Sequence, residues 1–258
     1  MASAPQPQTL PLFYNDLEPL SSQAHAEFKM RPSDRLPALA TTHAVPVTVE
    51  EFPFVQRHMP IVFSVGDDPI PLALMGLNEG VNVFFDSDGK LLEQAFYVPA
   101  YVRRYPFLLA RLRPDTDELS LCFDPTADTI GAFEEGEALF AGAEPSETTK
   151  AVLQFNEQFE RAGQNTAAFV KELVEMDLLI DGEVSIQPDN ASQPFVYRGF
   201  RMIDENKVNE LRGDQLRKMV QNGMLPLIFA HLFSLSQIRE IFARQMAQGK
   251  MPAPNLIG

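Results

Sequence analysis

The pattern of apolar and polar positions divides the chain into a β-rich first half and a mainly helical second half. Between residues 45 and 123, short runs of β-branched and aromatic residues alternate with turn residues such as Gly66-Asp67-Asp68-Pro69. Short strands that follow one another through tight turns predict an antiparallel sheet. The predicted strands are 45–49, 60–65, 72–75, 81–85, 91–98 and 118–123.

One turn in this region has a specific signature. Asp86-Ser87-Asp88-Gly89 separates the apolar run 81–85 from the run 91–98. Glycine adopts a positive φ without steric cost, and short turns between paired strands often require a residue with a positive φ. The pattern therefore predicts a β-hairpin with Gly89 in the left-handed region.

The second half of the chain shows apolar residues at helical spacing over 148–161 and 166–176, with Gly163 between them, which predicts a helical hairpin. Alternating residues at 178–186 and 194–203 predict two further strands. Asp214 is the predicted N-cap of a helix over 215–222. A last helix over 225–246 has an apolar stripe that we expect to pack on the sheet.

These elements predict an α+β fold, mainly an antiparallel sheet from the N-terminal half covered by the C-terminal helices. Residues 1–39 are rich in Pro, Ser and Gln and predict an extended N-terminal arm. A chain of 258 residues is near the upper limit for one hydrophobic core. We therefore expect a single α+β domain over residues 40–258.

Composition narrows the possible partners and the compartment. A net charge of -14 argues against binding nucleic acid or anionic lipid, which requires clustered Lys and Arg. Cys122 is the single cysteine, so no intrachain disulfide can form, which fits a reducing compartment. The longest apolar run, 224–235, is too short for a transmembrane segment. The N-terminus has no signal-peptide pattern, so we expect a cytoplasmic protein.

A local concentration of arginine stands out in this acidic chain. Arg103 and Arg104, flanked by Tyr101 and Tyr105, could hold a carboxylate or phosphate through forked hydrogen bonds, with the rings forming the walls. With Arg111 and Arg113 there are four arginines within 11 residues. The alternative is that these arginines pair with the chain's own carboxylates. The sequence leaves both interpretations open.

His231 interrupts an apolar helix. It is either a buried neutral histidine bonded to the backbone or a proton carrier. The other histidines, His25, His43 and His58, are widely separated in sequence, so no helical metal site is predicted. No phosphate-binding or dinucleotide-binding motif occurs, and the sequence predicts no cofactor.

Several motifs together resemble the SapC family of bacterial proteins. The most specific is the string from Tyr97 to Phe107, Tyr-Val-Pro-Ala-Tyr-Val-Arg-Arg-Tyr-Pro-Phe. Further matches occur at 52–53, 59–63, 200–205 and 230–235, in the family's order. The resemblance implies an association with surface layers of Gram-negative bacteria. It also implies a link to TonB-dependent outer-membrane uptake, because such receptors and flavin-dependent halogenase-like proteins occur beside family members.

Three functions follow as expectations. The first is a non-enzymatic accessory or binding protein that holds an anionic ligand, a peptide or a partner protein through Tyr101, Arg103, Arg104, Tyr105 and His231. The second is an enzyme acting on a small carboxylate-bearing molecule or peptide, in which an arginine anchors the carboxylate and His231 carries the proton. The third is a self-associating structural protein of the surface layer.

Overall fold

The computed structural model describes residues 10–113, 115, 117–188 and 193–251. The strands are β1 (Glu18–Pro19), β2 (Lys29–Met30), β3 (Ala44–Pro46), β4 (Ile61–Phe63), β5 (Pro71–Leu74), β6 (Phe107–Ala110), β7 (Ser120–Phe123), β8 (Ile130–Gly131), β9 (Glu137–Ala138), β10 (Phe140–Ala141), β11 (Glu144–Pro145), β12 (Leu179–Ile186) and β13 (Phe195–Ile203). The α-helices are α1 (Phe52–Val55), α2 (Ala100–Arg103), α3 (Glu147–Glu175), α4 (Glu205–Asn209), α5 (Gly213–Gln221), α6 (Met224–Ser234) and α7 (Gln237–Ala247). Two 3-10 helices cover Pro37–Thr41 and Val49–Glu51.

The chain divides into two compact units. The first comprises Met1–Ser33 and Arg104–Glu160, and the second comprises Asp34–Arg103 and Arg161–Gly258. Strands β1 and β2 of the N-terminal segment pair with other strands of the first unit. The arm over residues 1–39 and the single domain over 40–258 stay predictions.

The first unit is built from short antiparallel pairings. Strand β7 lies between β1 and β6, β2 lies between β8 and β9, and β10 pairs with β11. Aromatic and aliphatic side chains from these strands and the loops beside them form its core: Phe107, Phe123, Ile130 and Leu139. Burying such side chains supplies most of the stability of a small unit of this kind.

The second unit contains the largest sheet of the described residues, with five antiparallel strands in the order β12-β13-β4-β5-β3. It combines strands from the N-terminal half with the later hairpin β12–β13, as the alternation at 178–186 and 194–203 predicts. Helix α6 contacts β4 and β13. The α+β fold class predicted from the sequence is confirmed.

The predicted helical hairpin is wrong, because α3 runs without interruption through Gly163. Phe159 and Phe169 lie on either side of this glycine, and the backbone keeps helical geometry between them. Glycine in a helix interior costs roughly 1 kcal/mol relative to alanine, which a helix of 29 residues with an apolar face tolerates. Gly163 therefore weakens the helix without ending it.

The predicted hairpin over 81–98 is also wrong in its strands, although its turn is confirmed. Gly89 has φ of +73°, and one isolated bridge joins Phe85 to Leu91. The fully buried side chain of Asn82 makes hydrogen bonds that a partner strand would otherwise make. Its Oδ1 accepts hydrogen bonds from the amides of Phe84 and Phe85. A side-chain amide that satisfies the neighbouring backbone removes the need for a strand partner.

The last predicted helix is two helices, α6 and α7. The hydroxyls of Ser234 and Ser236 donate to the carbonyl oxygens of His231 and Phe233, three residues earlier. These hydroxyls compete for carbonyls at the end of α6, where the chain tightens into a 3-10 turn. The N-cap prediction was wrong as well, because α5 begins one residue before Asp214.

Two glycine substitutions test the continuity of α3 and the close packing between β12 and β13. Gly163→Ala should raise the free energy of unfolding by about 0.5–1 kcal/mol, because an added methyl group at this position of α3 meets no atom within 4 Å. Gly182→Ala should lower it by about 1–3 kcal/mol, because its methyl group would overlap the ring of Phe200 in the neighbouring strand. Urea denaturation of both variants measures these changes. Destabilisation by Gly163→Ala would contradict a continuous α3.

Candidate functional site

Arg103 is the exposed member of the predicted arginine pair. It is the last residue of α2, in the second unit. Its Nη2 donates a hydrogen bond of 3.2 Å to the hydroxyl oxygen of Tyr97, and its guanidinium carbon lies 5.6 Å from the centre of the Tyr97 ring. The tyrosine thus contacts the guanidinium through both its oxygen and its ring.

The buried side chain of Glu51 fixes the position of Tyr97 through a hydrogen bond. Its carboxylate is buried, and Oε1 accepts hydrogen bonds from the Tyr97 hydroxyl at 3.0 Å and the Ala100 amide at 2.6 Å. Oε2 accepts from the amide and hydroxyl of Thr48, both at 2.9 Å. Burial and the neighbouring Glu51 raise the pKa of Tyr97 to about 12, so the phenol stays protonated and can donate to Glu51.

Two more side chains extend this arrangement across the surface. The ring of Phe54 stacks on that of Tyr97, with centroids 5.6 Å apart and an interplanar angle of 17°. The guanidinium carbon of Arg57 lies 5.9 Å from the centre of the Phe54 ring, and Phe54 is 49% exposed. We call Phe54, Arg57, Tyr97 and Arg103 the arginine–aromatic surface. It consists of two stacked rings with an arginine against each.

Tyr101 does not share this exposure. It lies in α2 with a relative exposure of 6%, so its ring is buried. Its predicted role as a wall of the ligand site stays a prediction.

Arg104 and Tyr105 belong to the first unit. Arg104 is 8% exposed, its guanidinium carbon lies 4.4 Å from the centre of the Phe159 ring, and its Nη1 lies 3.7 Å from the carboxylate of Glu160. Burial raises the pKa of Glu160, and the charge of Arg104 opposes that shift. Tyr105 is half-buried, with its hydroxyl 3.5 Å from the carboxylate of Asp124. These contacts match the alternative in which the arginine pairs within the chain.

The other two arginines of the cluster also pair with carboxylates. Arg111 lies 2.8 Å from Asp117, and Arg113 lies 3.3 Å from Glu118. All four side chains are more than half exposed, and such surface pairs contribute little to stability.

His231 is fully buried in α6 and bonded to the backbone. Its Nε2 accepts a hydrogen bond of 3.0 Å from the amide of Ile203, the last residue of β13. Burial lowers its pKa from 6.5 to about 4, and the backbone of Ile61 partly opposes the shift. The geometry matches the interpretation of a neutral structural histidine, and its place in a ligand site stays a prediction.

The structure therefore brings one predicted site residue, Arg103, to an exposed surface, and it adds three residues that the sequence reasoning missed. Phe54, Arg57 and Tyr97 carry no motif of their own, although Tyr97 begins the string that resembles the SapC family. The sequence did contain a signal for the carboxylate of Glu51, which supports Tyr97. Thr48 followed three residues later by Glu51 is a capping-box pattern, and the structure contains this capping box.

The residues that the structure describes contain neither a metal-binding group of side chains nor a helix able to span a membrane. Within them, no three or more His, Cys, Asp or Glu side chains are grouped so that they could hold a metal ion. None of their helices combines the length and the apolar character needed to cross a membrane.

The family model of SapC matches residues 20–241, which is most of the chain. The chain therefore belongs to the SapC family, as the motifs in the sequence indicated. Neither the comparison with curated proteins nor the comparison with solved structures gave a match.

The two neighbouring arginines should respond differently to truncation. Arg104→Ala should lower the free energy of unfolding by about 2 kcal/mol, because it removes the buried contact with Phe159 and leaves Glu160 without its cation. Arg103→Ala should change it by less than about 1 kcal/mol, since that side chain is exposed. Chemical denaturation of both variants measures the difference. Equal losses would contradict the contrast in burial.

The buried histidine should make stability depend on pH. The unfolded chain takes up this proton near pH 6.5, whereas the folded chain resists it until about pH 4. Stability should therefore fall as the pH drops through that window, by up to about 3 kcal/mol. His231→Gln should be less stable at pH 7 but should lack this part of the slope. Urea denaturation of both proteins from pH 7 to pH 4 compares them, and parallel slopes would refute the assignment.

Proposed function

We propose that this SapC-family protein is an accessory or binding protein that uses the arginine–aromatic surface to hold a carboxylate-bearing segment of a partner protein. The observation that carries the proposal is the arrangement of two exposed arginines against two stacked rings, with Tyr97 anchored by the buried Glu51. Arginine binds carboxylates through forked, charge-assisted hydrogen bonds. This is the anionic-ligand function expected from the sequence, with the site now centred on Arg103.

A protein segment suits this surface better than a small molecule. The rings and guanidinium groups form an exposed face, and arginine and aromatic residues are enriched at the centres of protein interfaces. Phe54 is half exposed, so a partner that covers it would gain from burying apolar area. The positive face in a protein of net charge -14 would select an acidic segment over a basic one.

Membership of the SapC family supports the accessory role. The resemblance implies that the partner belongs to a surface-layer or TonB-dependent uptake system. We also propose a cytoplasmic location for the protein, on the basis of the single cysteine. Cys122 is a free, buried thiol whose pKa is raised to about 11 by burial, which suits a structural residue.

The enzyme hypothesis receives no comparable support. It requires His231 to carry a proton to or from a substrate, but the ring is fully buried and its Nε2 accepts a backbone hydrogen bond. The hypothesis of a self-associating surface-layer protein stays a prediction.

Binding of an acidic peptide tests the proposed function. The probe is a short fluorescein-labelled peptide of alternating glutamate and phenylalanine, and its counterpart with glutamine for glutamate controls for charge. Fluorescence anisotropy should show binding of the acidic peptide and no binding of the glutamine peptide. Arg103→Ala and Phe54→Ala should each weaken it about tenfold, the value expected for losing one charged hydrogen bond or one buried ring.

The matched control is Arg212→Ala. Arg212 is an exposed arginine of the same unit, paired with Asp214 and remote in sequence from the arginine–aromatic surface. Its removal should leave the affinity unchanged. The proposal fails if Arg212→Ala weakens binding as much as Arg103→Ala, because general charge would then explain the result. It also fails if both peptides bind equally well.

A further inference from the structure

Two more basic side chains lie next to the arginine–aromatic surface. His58 follows Arg57 in sequence, is half-buried, and meets the ring of Phe96 in a T-shaped arrangement with centroids 5.7 Å apart. On the same phenylalanine lies Arg244 of α7, whose guanidinium carbon is 4.7 Å from the centre of the ring. Phe96 also precedes Tyr97 in sequence. A second aromatic ring with two basic side chains therefore adjoins the first two rings.

The backbone anchors His58 at the end of α1. The amides of His58 and Met59 both donate hydrogen bonds to the carbonyl oxygen of Val55, at 3.0 and 2.9 Å. Met59 is fully buried, and β4 begins two residues later. The imidazole therefore extends from a turn that is held by hydrogen bonds on one side and by the core on the other.

Arg244 is held over Phe96 by an ion pair. Its Nη1 lies 3.0 Å from Oε1 of Glu93, and the amide of Phe96 donates to the carbonyl oxygen of Glu93 at 3.1 Å. The side chains of Arg244 and Glu93 are 35% and 55% exposed, and an ion pair with this exposure is weak. The guanidinium group therefore keeps donors that can reach an incoming anion.

No carboxylate of the described residues contacts His58. Neither of its ring nitrogens makes a hydrogen bond or an ion pair in that part of the chain. Burial lowers the pKa of His58 below 6.5, and the charges of Arg57 and Arg244 lower it further. Among the other titratable side chains around it, Glu93 is paired with Arg244 and Tyr97 is a protonated phenol. At neutral pH the imidazole is therefore uncharged in the free protein.

An acidic segment on this surface would change the electrostatic balance at His58. A carboxylate that binds Arg57 brings a negative charge beside the imidazole, and an opposite charge at short range favours the protonated form of a histidine. Both ring nitrogens then become donors, and one of them can form a charge-assisted hydrogen bond to the carboxylate. Protonation and binding therefore strengthen each other, as thermodynamic linkage requires.

We propose that His58 is part of the binding surface and takes up a proton when the acidic segment of the partner binds. This inference rests on the function proposed above and adds a dependence of that function on pH. The pKa of His58 is higher in the complex than in the free protein, so the affinity rises as the pH falls through the bound-state pKa. The rise ends below the free-state pKa, where the ring is already charged before binding.

Fluorescence anisotropy with the acidic peptide at pH 7.5 and pH 5.5, at one ionic strength, tests the proposal. Glutamate stays mostly ionised at both values. The affinity of the wild-type protein should be about three- to tenfold higher at pH 5.5, as expected when the pKa of one histidine rises by about half to one unit on binding. His58→Gln cannot take up the proton, so its affinity should be the same at both pH values.

The matched control is His43→Gln. His43 is a half-buried histidine of the same unit that does not belong to the arginine–aromatic surface. This variant should keep the wild-type rise in affinity. Circular dichroism first establishes that each protein is folded at both pH values, and His58→Asn replaces His58→Gln if the latter is not.

Calorimetry of peptide binding near pH 6, in two buffers of different ionisation enthalpy, counts the proton. The wild-type protein should take up about half a proton per peptide, and His58→Gln close to none. Binding without a pH dependence, or an equal rise in His58→Gln, overturns this inference and leaves the proposed function standing. Loss of the rise in His43→Gln overturns the assignment to His58. Absence of peptide binding at both pH values overturns the proposed function and this inference with it.

Discussion

The buried carboxylate of Glu51 is the interaction on which the candidate site depends. A carboxylate removed from water is costly unless its oxygens are fully hydrogen-bonded. Here the donors come from Thr48, the Ala100 amide and the Tyr97 hydroxyl, so one side chain ties the start of α2 to the 3-10 helix at residues 49–51. The orientation of Tyr97, and with it the position of Arg103, follows from satisfying this charge.

A second constraint acts where the large sheet is incomplete. Strands β4 and β13 share one pair, so amides on both strands need acceptors from elsewhere. Helix α6 supplies them: His231 accepts from Ile203, and the Ser234 hydroxyl accepts from Ile61 at 2.9 Å. These two polar residues of the apolar helix α6 therefore accept hydrogen bonds from backbone amides of the sheet. Farther along the same two strands, a cavity lies beside Phe63 and residues 197–200.

Local pattern predicted much of the fold. The alternation at 178–186 and 194–203, and the short apolar runs before residue 75, correctly indicated β4, β5, β12 and β13. Errors arose at two segments where a single residue was given too much or too little weight. Gly163 looked like a helix end, and residues 81–85 looked like a strand until the buried amide of Asn82 took over their backbone amides. The orientation of Asn82 depends on distant residues, because its amide nitrogen donates to the carbonyl oxygens of Leu39 and Thr42.

Residue pattern, motifs and composition were enough to assign the α+β class, the SapC family, and a concentration of arginines among aromatic residues in an acidic chain. The three-dimensional arrangement of the chain was needed to show that Arg103 is exposed while Arg104 is buried against Phe159. It alone placed Phe54 beside Tyr97 and opened the cavity beside β5. The physical reason is that residue type and spacing define which contacts a segment can make. Burial depends on the whole chain, and it selects which of those contacts form.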